Sequence, residues 1–207
     1  MHPNPIFRQI TNAENLAFVR DRSFGILSMN ADPVPLLAHI PFVLSPDESY
    51  LDFHLVRSNP IARAIGSDTQ AVLAVSGSDG YISPDWYGIP DQVPTWNYIA
   101  VHLRGHIELR DQDDLHSHLV ELSAQFEARL APKPPWLIEK VSAEALKKLM
   151  RMIVPCRMTL SQVDGTWKLG QNKTEAARIG AADEISKTDV GQELSSLAAA
   201  MRAPPKS

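Results

Sequence analysis

Apolar and polar residues alternate most cleanly between Ile99 and Arg110. Ile99, Val101, Leu103, Ile107 and Leu109 fall on one face, and His102, Arg104, His106, Glu108 and Arg110 on the other. A strand with one buried and one wet face belongs in an antiparallel sheet, because parallel strands are covered on both sides. Gly105, on the apolar face, predicts a bend or bulge. Similar patterns predict strands over 25–29, 36–44 and 50–56. Leu36, Ala38, Ile40, Phe42 and Leu44 then share a face, as do Leu51, Phe53 and Leu55. Laying those faces together places His39 opposite His54. Ala71 to Val75 is a continuous apolar run suited to a central strand, and Arg157–Val163 with Trp167–Leu169 reads as a last hairpin around Asp164-Gly165.

Helical signals sit between these strands. Thr11-Asn12-Ala13-Glu14 is a capping box, predicting a helix through about Arg22. Asn59-Pro60 pairs an N-cap with proline at the first helical position, opening a short helix to about Ile65 that Gly66 ends. Leu115, Leu119, Leu122, Phe126 and Leu130 form the stripe of a helix capped by Asp111. A further helix is expected from Ala143 to about Ile153, and one or two more from Lys173 on. Ala131-Pro132-Lys133-Pro134-Pro135 is short enough to be a rigid connection within a domain. Six or seven strands, mostly in sequential hairpins, predict a mainly antiparallel β-barrel with peripheral α-helices, an α+β arrangement.

Composition adds bounds. In 207 residues, 44% are hydrophobic, enough for a sizeable core. Twenty basic against twenty-four acidic residues give a net charge of −4, so no global positive field draws the chain to DNA or anionic lipid. One cysteine, Cys156, excludes an internal disulfide and fits a reducing, cytoplasmic setting. No apolar run reaches membrane-spanning length, and the N-terminus lacks the pattern of a signal peptide. Gly-x-Gly-x-x-Gly, Walker-type and Gly-x-Ser-x-Gly motifs are missing, which argues against dinucleotide, triphosphatase and hydrolase-elbow chemistry.

Two strand ends carry the donors an anion needs. In His54-Leu55-Val56-Arg57-Ser58-Asn59-Pro60 a cation and a hydroxyl precede a helix start, and in Trp167-Lys168-Leu169-Gly170-Gln171-Asn172 a lysine does. Each also has a plain structural reading: Asn59 caps its helix, and Asn172 with Glu175 has capping-box spacing. Metal ligation has little support. His102 and His106 share a face but stand about 13 Å apart along a strand, too far for ligands at about 2 Å from zinc. His39 and His54 lack a third ligand, and His116 and His118 read as solvated helix positions.

Five ordered segments, Leu37 to Phe42, His54 to Pro60, Gly80 to Tyr87, Val93 to Tyr98 and Trp167 to Asn172, resemble the PaiB-type family, described as FMN-binding negative transcriptional regulators. The resemblance covers most of residues 1–180. It implies an FMN-binding split β-barrel over 1–180, a homodimer with flavin at its interface, and repression of genes, while residues 181–207, outside the resemblance, read as a C-terminal helical tail. It also implies a cofactor site. Arg57, Ser58 and Asn59 would take the flavin phosphate with His54 nearby, and Lys168, Gln171 and Asn172 would form a second cluster reaching the cofactor from the partner subunit. Trp96 would stack on or edge the isoalloxazine ring and Asn97 bond its polar rim, with His39 also in the site. His54 stands where the related oxidases place threonine or serine. DNA contact finds no support in the charge balance or in any helix-turn-helix pattern. The alternative is a flavin-dependent oxidoreductase of the pyridoxamine-phosphate oxidase or flavin reductase kind, with His39 and Tyr98 as candidate proton donors.

Overall fold

The computed structural model describes residues 1–205. Seven strands, β1 (Phe24–Met29), β2 (Leu36–Leu44), β3 (Tyr50–Val56), β4 (Thr69–Ile82), β5 (Thr95–Leu109), β6 (Ile153–Lys168) and β7 (Gly191–Gln192), form one sheet in the order β1-β2-β3-β6-β5-β4-β7. A β1–β4 pairing closes the first six into an antiparallel barrel and leaves β7 as an added edge. Closure removes the exposed edges that a six-stranded open sheet would present. The helices are α1 (Asn12–Arg22), α2 (Pro60–Ala64), α3 (Asp114–Glu127), α4 (Ala143–Met150), α5 (Glu175–Ile185) and α6 (Leu194–Arg202).

The chain forms two compact units that share the long strands. Val19–Ala74 with Leu103–Gln162 makes one; Met1–Phe18, Val75–His102 and the residues from Val163 onward make the other. In the first unit, burial follows the alternation: Ala38, Ile40, Phe42 and Leu44 of β2 and Leu51, Phe53 and Leu55 of β3 are all buried. The β2–β3 register is Phe42↔Phe53 and Leu44↔Leu51. That corrects the pairing of His39 with His54. Shared burial selects a face, yet a shift of two residues keeps every face and still moves each pair. His39 instead lies opposite Ile26 of β1, and His54 pairs with Pro155 of β6. Asp52 and Arg157 join β3 to β6 through a bidentate ion pair of 2.7 and 2.8 Å, with the guanidinium 3.6 Å from the Tyr50 ring centroid.

Gly105 has a specific cause. A Cβ there would lie 2.0 Å from the Thr159 carbonyl oxygen, so only glycine admits the β6 backbone. Leu109, expected inside, is 47% exposed at the end of its strand.

In the second unit the expected Asp164-Gly165 hairpin is absent, because β6 runs unbroken from Ile153 to Lys168. Gly165 is needed for another reason. Its missing side chain makes room for Asn15 of α1, whose Oδ1 would sit 2.0 Å from a Cβ. Asn15 is buried and accepts the Trp167 indole N–H at 2.9 Å, tying α1 to β6. The capping box at the start of α1 forms, with the Glu14 carboxylate accepting from Thr11 N–H and the Thr11 hydroxyl from Glu14 N–H, each at 3.2 Å. Helices α5 and α6 carry Ala181, Ile185, Leu197 and Met201 into one apolar cluster with Ile82, Tyr87, Ile99 and Leu169. Residues 194–202 are thus part of a core.

Candidate flavin site

Arg57 follows the last residue of β3, and three neutral oxygens define its position. Nε donates to the Arg151 carbonyl at 3.1 Å, and Nη2 donates to Gln112 Oε1 at 2.8 Å and to the Ile153 carbonyl at 3.3 Å. Gln112 is held in turn by donating to the Met150 carbonyl at 3.0 Å. These bonds orient the guanidinium and leave its Nη1 edge outside them. Ser58 is exposed beside it. Asn59 caps α2, its Oδ1 accepting from Ile61 N–H at 2.9 Å, and Pro60 occupies the first helical position as expected. Asn59 therefore serves the helix, and five residues of α2 give little macrodipole.

His54 meets a residue the sequence reading placed in solvent. His118 of α3 is 6% exposed, and its Nε2 lies 3.2 Å from His54 Nδ1. Leu115, His118 and Leu122 are the buried positions of α3, so the signal was present as i, i+3, i+7 spacing and was masked by the polarity of histidine. Burial, then the His54 charge, pull His118 down to about 4, against a smaller opposing effect of Asp52. Burial also lowers His54. The pair is therefore neutral at pH 7. His118 Nδ1 is buried with no hydrogen-bond partner. His39 is exposed on β2, its ring 6.3 Å from that of Phe24. Cys156 offers no redox thiol: it is buried, and burial pushes its pKa up to about 12.

The second unit carries the aromatic positions. Thr95 to Tyr98 lie inside β5, which starts four residues earlier than its alternation indicated. Trp96 is 47% exposed and meets Tyr81 edge-on at 6.4 Å. Trp96, Tyr98, Ser76, Gly77 and Asp79 line a groove of about 310 Å³, within the range of small-molecule sites. Asn97 faces the other way. It is 1% exposed with Nδ2 3.5 Å from Met201 Sδ, so its side chain belongs to the packing under α6 and not to the groove.

At the end of β6, Lys168 donates to the Thr95 hydroxyl. Gln171 folds back on its own turn, accepting from Leu169 N–H at 2.8 Å and donating to the Trp167 carbonyl at 2.5 Å. The cap of α5 is Thr174, whose hydroxyl accepts from Ala177 N–H at 3.4 Å, and this corrects the capping box drawn from Asn172. Asn172 is exposed. Lys173, which sequence spacing did not single out, donates to Gln92 Oε1 and lies 5.1 Å from the Tyr87 ring centroid.

The donors around Arg57 suit a phosphorylated group. Protease synthase and sporulation protein PAI 2 of Bacillus subtilis is 28% identical over 188 residues, 89% of each chain. Among solved structures, the FAD and heme binding protein of Mycobacterium smegmatis superposes with a TM-score of 0.57 at 14% identity, covering 78% of this chain and 73% of that one. Flavocytochrome Anf3 of Azotobacter vinelandii does so with a TM-score of 0.56 at 15% identity, covering 81% and 72%. At such identities the likeness establishes the fold, a split β-barrel. Residues 1–162 match the family described as "Putative FMN-binding domain". With that match, the barrel closed through β1–β4 and the five motifs in order, the chain belongs to the FMN-binding domain family of PaiB-type proteins.

Proposed function

We propose that this protein is an FMN-binding regulatory protein that acts as a negative regulator of transcription, as a cytoplasmic homodimer, through a partner and not by gripping DNA itself. FMN is its cofactor. The observation that carries the site assignment is the orientation of Arg57: two carbonyls and Gln112 hold the guanidinium before any ligand arrives. A preset cation suits a phosphate dianion, since little side-chain entropy is left to lose on binding. His54 contributes as the neutral partner of His118, and His39 remains in the assigned set at the exposed edge of β2. In the other unit, taken by itself, the Trp96–Tyr98 groove presents an aromatic edge. When bound, FMN supplies hydride and single-electron chemistry.

The indirect route to transcription is supported by charge. A net charge of −4 removes the counterion-release contribution that dominates non-specific DNA affinity. Lys147, Lys148 and Arg151 do gather on and just after α4, but as one solvated face of an amphipathic helix. No helix among the described residues is long and apolar enough to cross a membrane.

The decisive experiment is the absorbance of the untreated protein between about 350 and 500 nm, followed by FMN titration. A bound flavin spectrum or saturable uptake is expected. Its absence with no uptake of added FMN would overturn the cofactor assignment. The oxidoreductase reading is favoured only if the flavin-loaded protein turns over NAD(P)H.

A further inference from the structure

We propose that an apolar cavity between α3 and α4 binds an amphiphile with a single anionic head, a medium- or long-chain carboxylate, at a site separate from the flavin. The cavity lies wholly within the unit built from Val19–Ala74 and Leu103–Gln162. Its walls include Leu122 and Phe126 of α3, Trp136 and Ile138 of the connection, and Leu146 and Leu149 of α4, around about 510 Å³. That volume falls in the range of small-molecule sites. No charged side chain lines the cavity among the described residues, and the Ser123 hydroxyl on its wall is already spent, donating to the Val120 carbonyl at 3.0 Å. An alkyl chain asks for no hydrogen bond and suits such a lining. The Trp136 wall is anchored from behind: Glu127 accepts its backbone N–H at 2.7 Å and pairs with the Lys133 ammonium.

Helix α4 leaves its apolar face open to this space. Leu146, Leu149 and Met150 all line the cavity, yet no residue of α4 is buried and Leu149 is 54% exposed. A helix of eight residues is marginal in water unless its apolar face is covered, and a bound alkyl chain covers it. Charge complementarity selects the head group. Leu146 and Met150 also line an adjoining cavity of about 530 Å³, and there Lys147 and Arg151 stand one helical turn apart. Neither side chain enters an ion pair among the described residues. Asp113 and His116 are the other titratable groups on that cavity, so two cations face one carboxylate and the balance is positive. Gln112, also on its wall, is committed to Arg57 and the Met150 carbonyl. An ionised carboxylate beside Lys147 and Arg151, with its chain passing Leu146 and Met150, satisfies both cavities at once. None of the residues assigned to the flavin lines either cavity.

The test is calorimetric titration of the full-length protein with dodecanoate below its micellar concentration, with butyrate as the head group alone. Wild type is expected to take up dodecanoate saturably, as a single site, and butyrate not at all. L149D changes an exposed position and is expected to bind dodecanoate at least about tenfold more weakly, because a carboxylate then faces the apolar chain. K147Q/R151Q is expected to lose about two- to fivefold, the range of an exposed ion pair. Circular dichroism of both variants should match wild type. Added FMN is expected to leave the dodecanoate isotherm unchanged, and the flavin spectrum reads the flavin assignment separately. Absent or non-saturating uptake by wild type overturns the proposal, as does an affinity equal in wild type and either variant. Competition between FMN and dodecanoate overturns it as a separate site. A lower mass for L149D than for wild type, read by sedimentation without ligand, would assign the groove to a second copy of this chain and overturn it too.

Discussion

Arg57 gives Nε and Nη2 to the protein and keeps Nη1 for something else. R57A should weaken FMN binding by about 1.5 to 3 kcal/mol, roughly ten- to a hundredfold in Kd, with riboflavin affinity unchanged. Flavin fluorescence quenching measures both, and equal losses for the two flavins would move the phosphate elsewhere. His118 leads to a different expectation. Its folded pKa of about 4 lies below the ordinary 6.5, so between those values the unfolded chain takes up a proton that the folded chain refuses. Its contribution is therefore complete above pH 6.5 and is lost as pH falls toward 4, by on the order of 3 kcal/mol in all. His54, also lowered, adds in the same direction. Urea midpoints measured from pH 7 to pH 4 should fall, and H118Q should reduce the slope. At this scale the sequence showed which groups could bind an anion. It did not show that Asn97 is packed under Met201, because that partner lies about a hundred residues further along the chain.

Among the elements, the strands with one wet face were the most legible. Burial of one face imposes the period of two on β2, β3 and β5, and each lies where the alternation placed it, to within a few residues. Strand β6 was read as two pieces because Asp164-Gly165 has the composition of a turn. The glycine answers instead to Asn15, a residue of α1 about 150 positions earlier. Two substitutions test this account. N15A should destabilise the fold by about 1 to 3 kcal/mol, the cost of a buried indole N–H left unpaired. G105A should cost about 2 kcal/mol or more, since the obstructing atom is a backbone carbonyl that cannot rotate aside. Denaturant unfolding gives both values. An N15A variant as stable as wild type would show that the Asn15–Trp167 bond contributes nothing net.

For the whole molecule, the sheet order β1-β2-β3-β6-β5-β4 departs from a run of sequential hairpins: β3 pairs with β6, across almost a hundred intervening residues. The C-terminal helices also belong to the fold. Ending the chain at residue 193 removes Leu197, Ala198 and Met201 from their cluster and uncovers Ile82 and Ile185. The expected outcome is a lower melting temperature and increased binding of a hydrophobic dye, read against the intact chain; an unchanged melting temperature would mean that α6 is dispensable.

What residues 1–207 determined alone was local: the faces of the wet strands, the caps of α1 and α2, the charge balance and the five motifs of an FMN-binding family. These follow from interactions within a few residues, or from composition, and need no knowledge of what lies opposite. Tertiary structure decided the β2–β3 register, the burial of His118 against His54 and the unbroken course of β6. Each depends on which distant segment closes against which, and periodicity alone assigns a residue to a face without naming its neighbour.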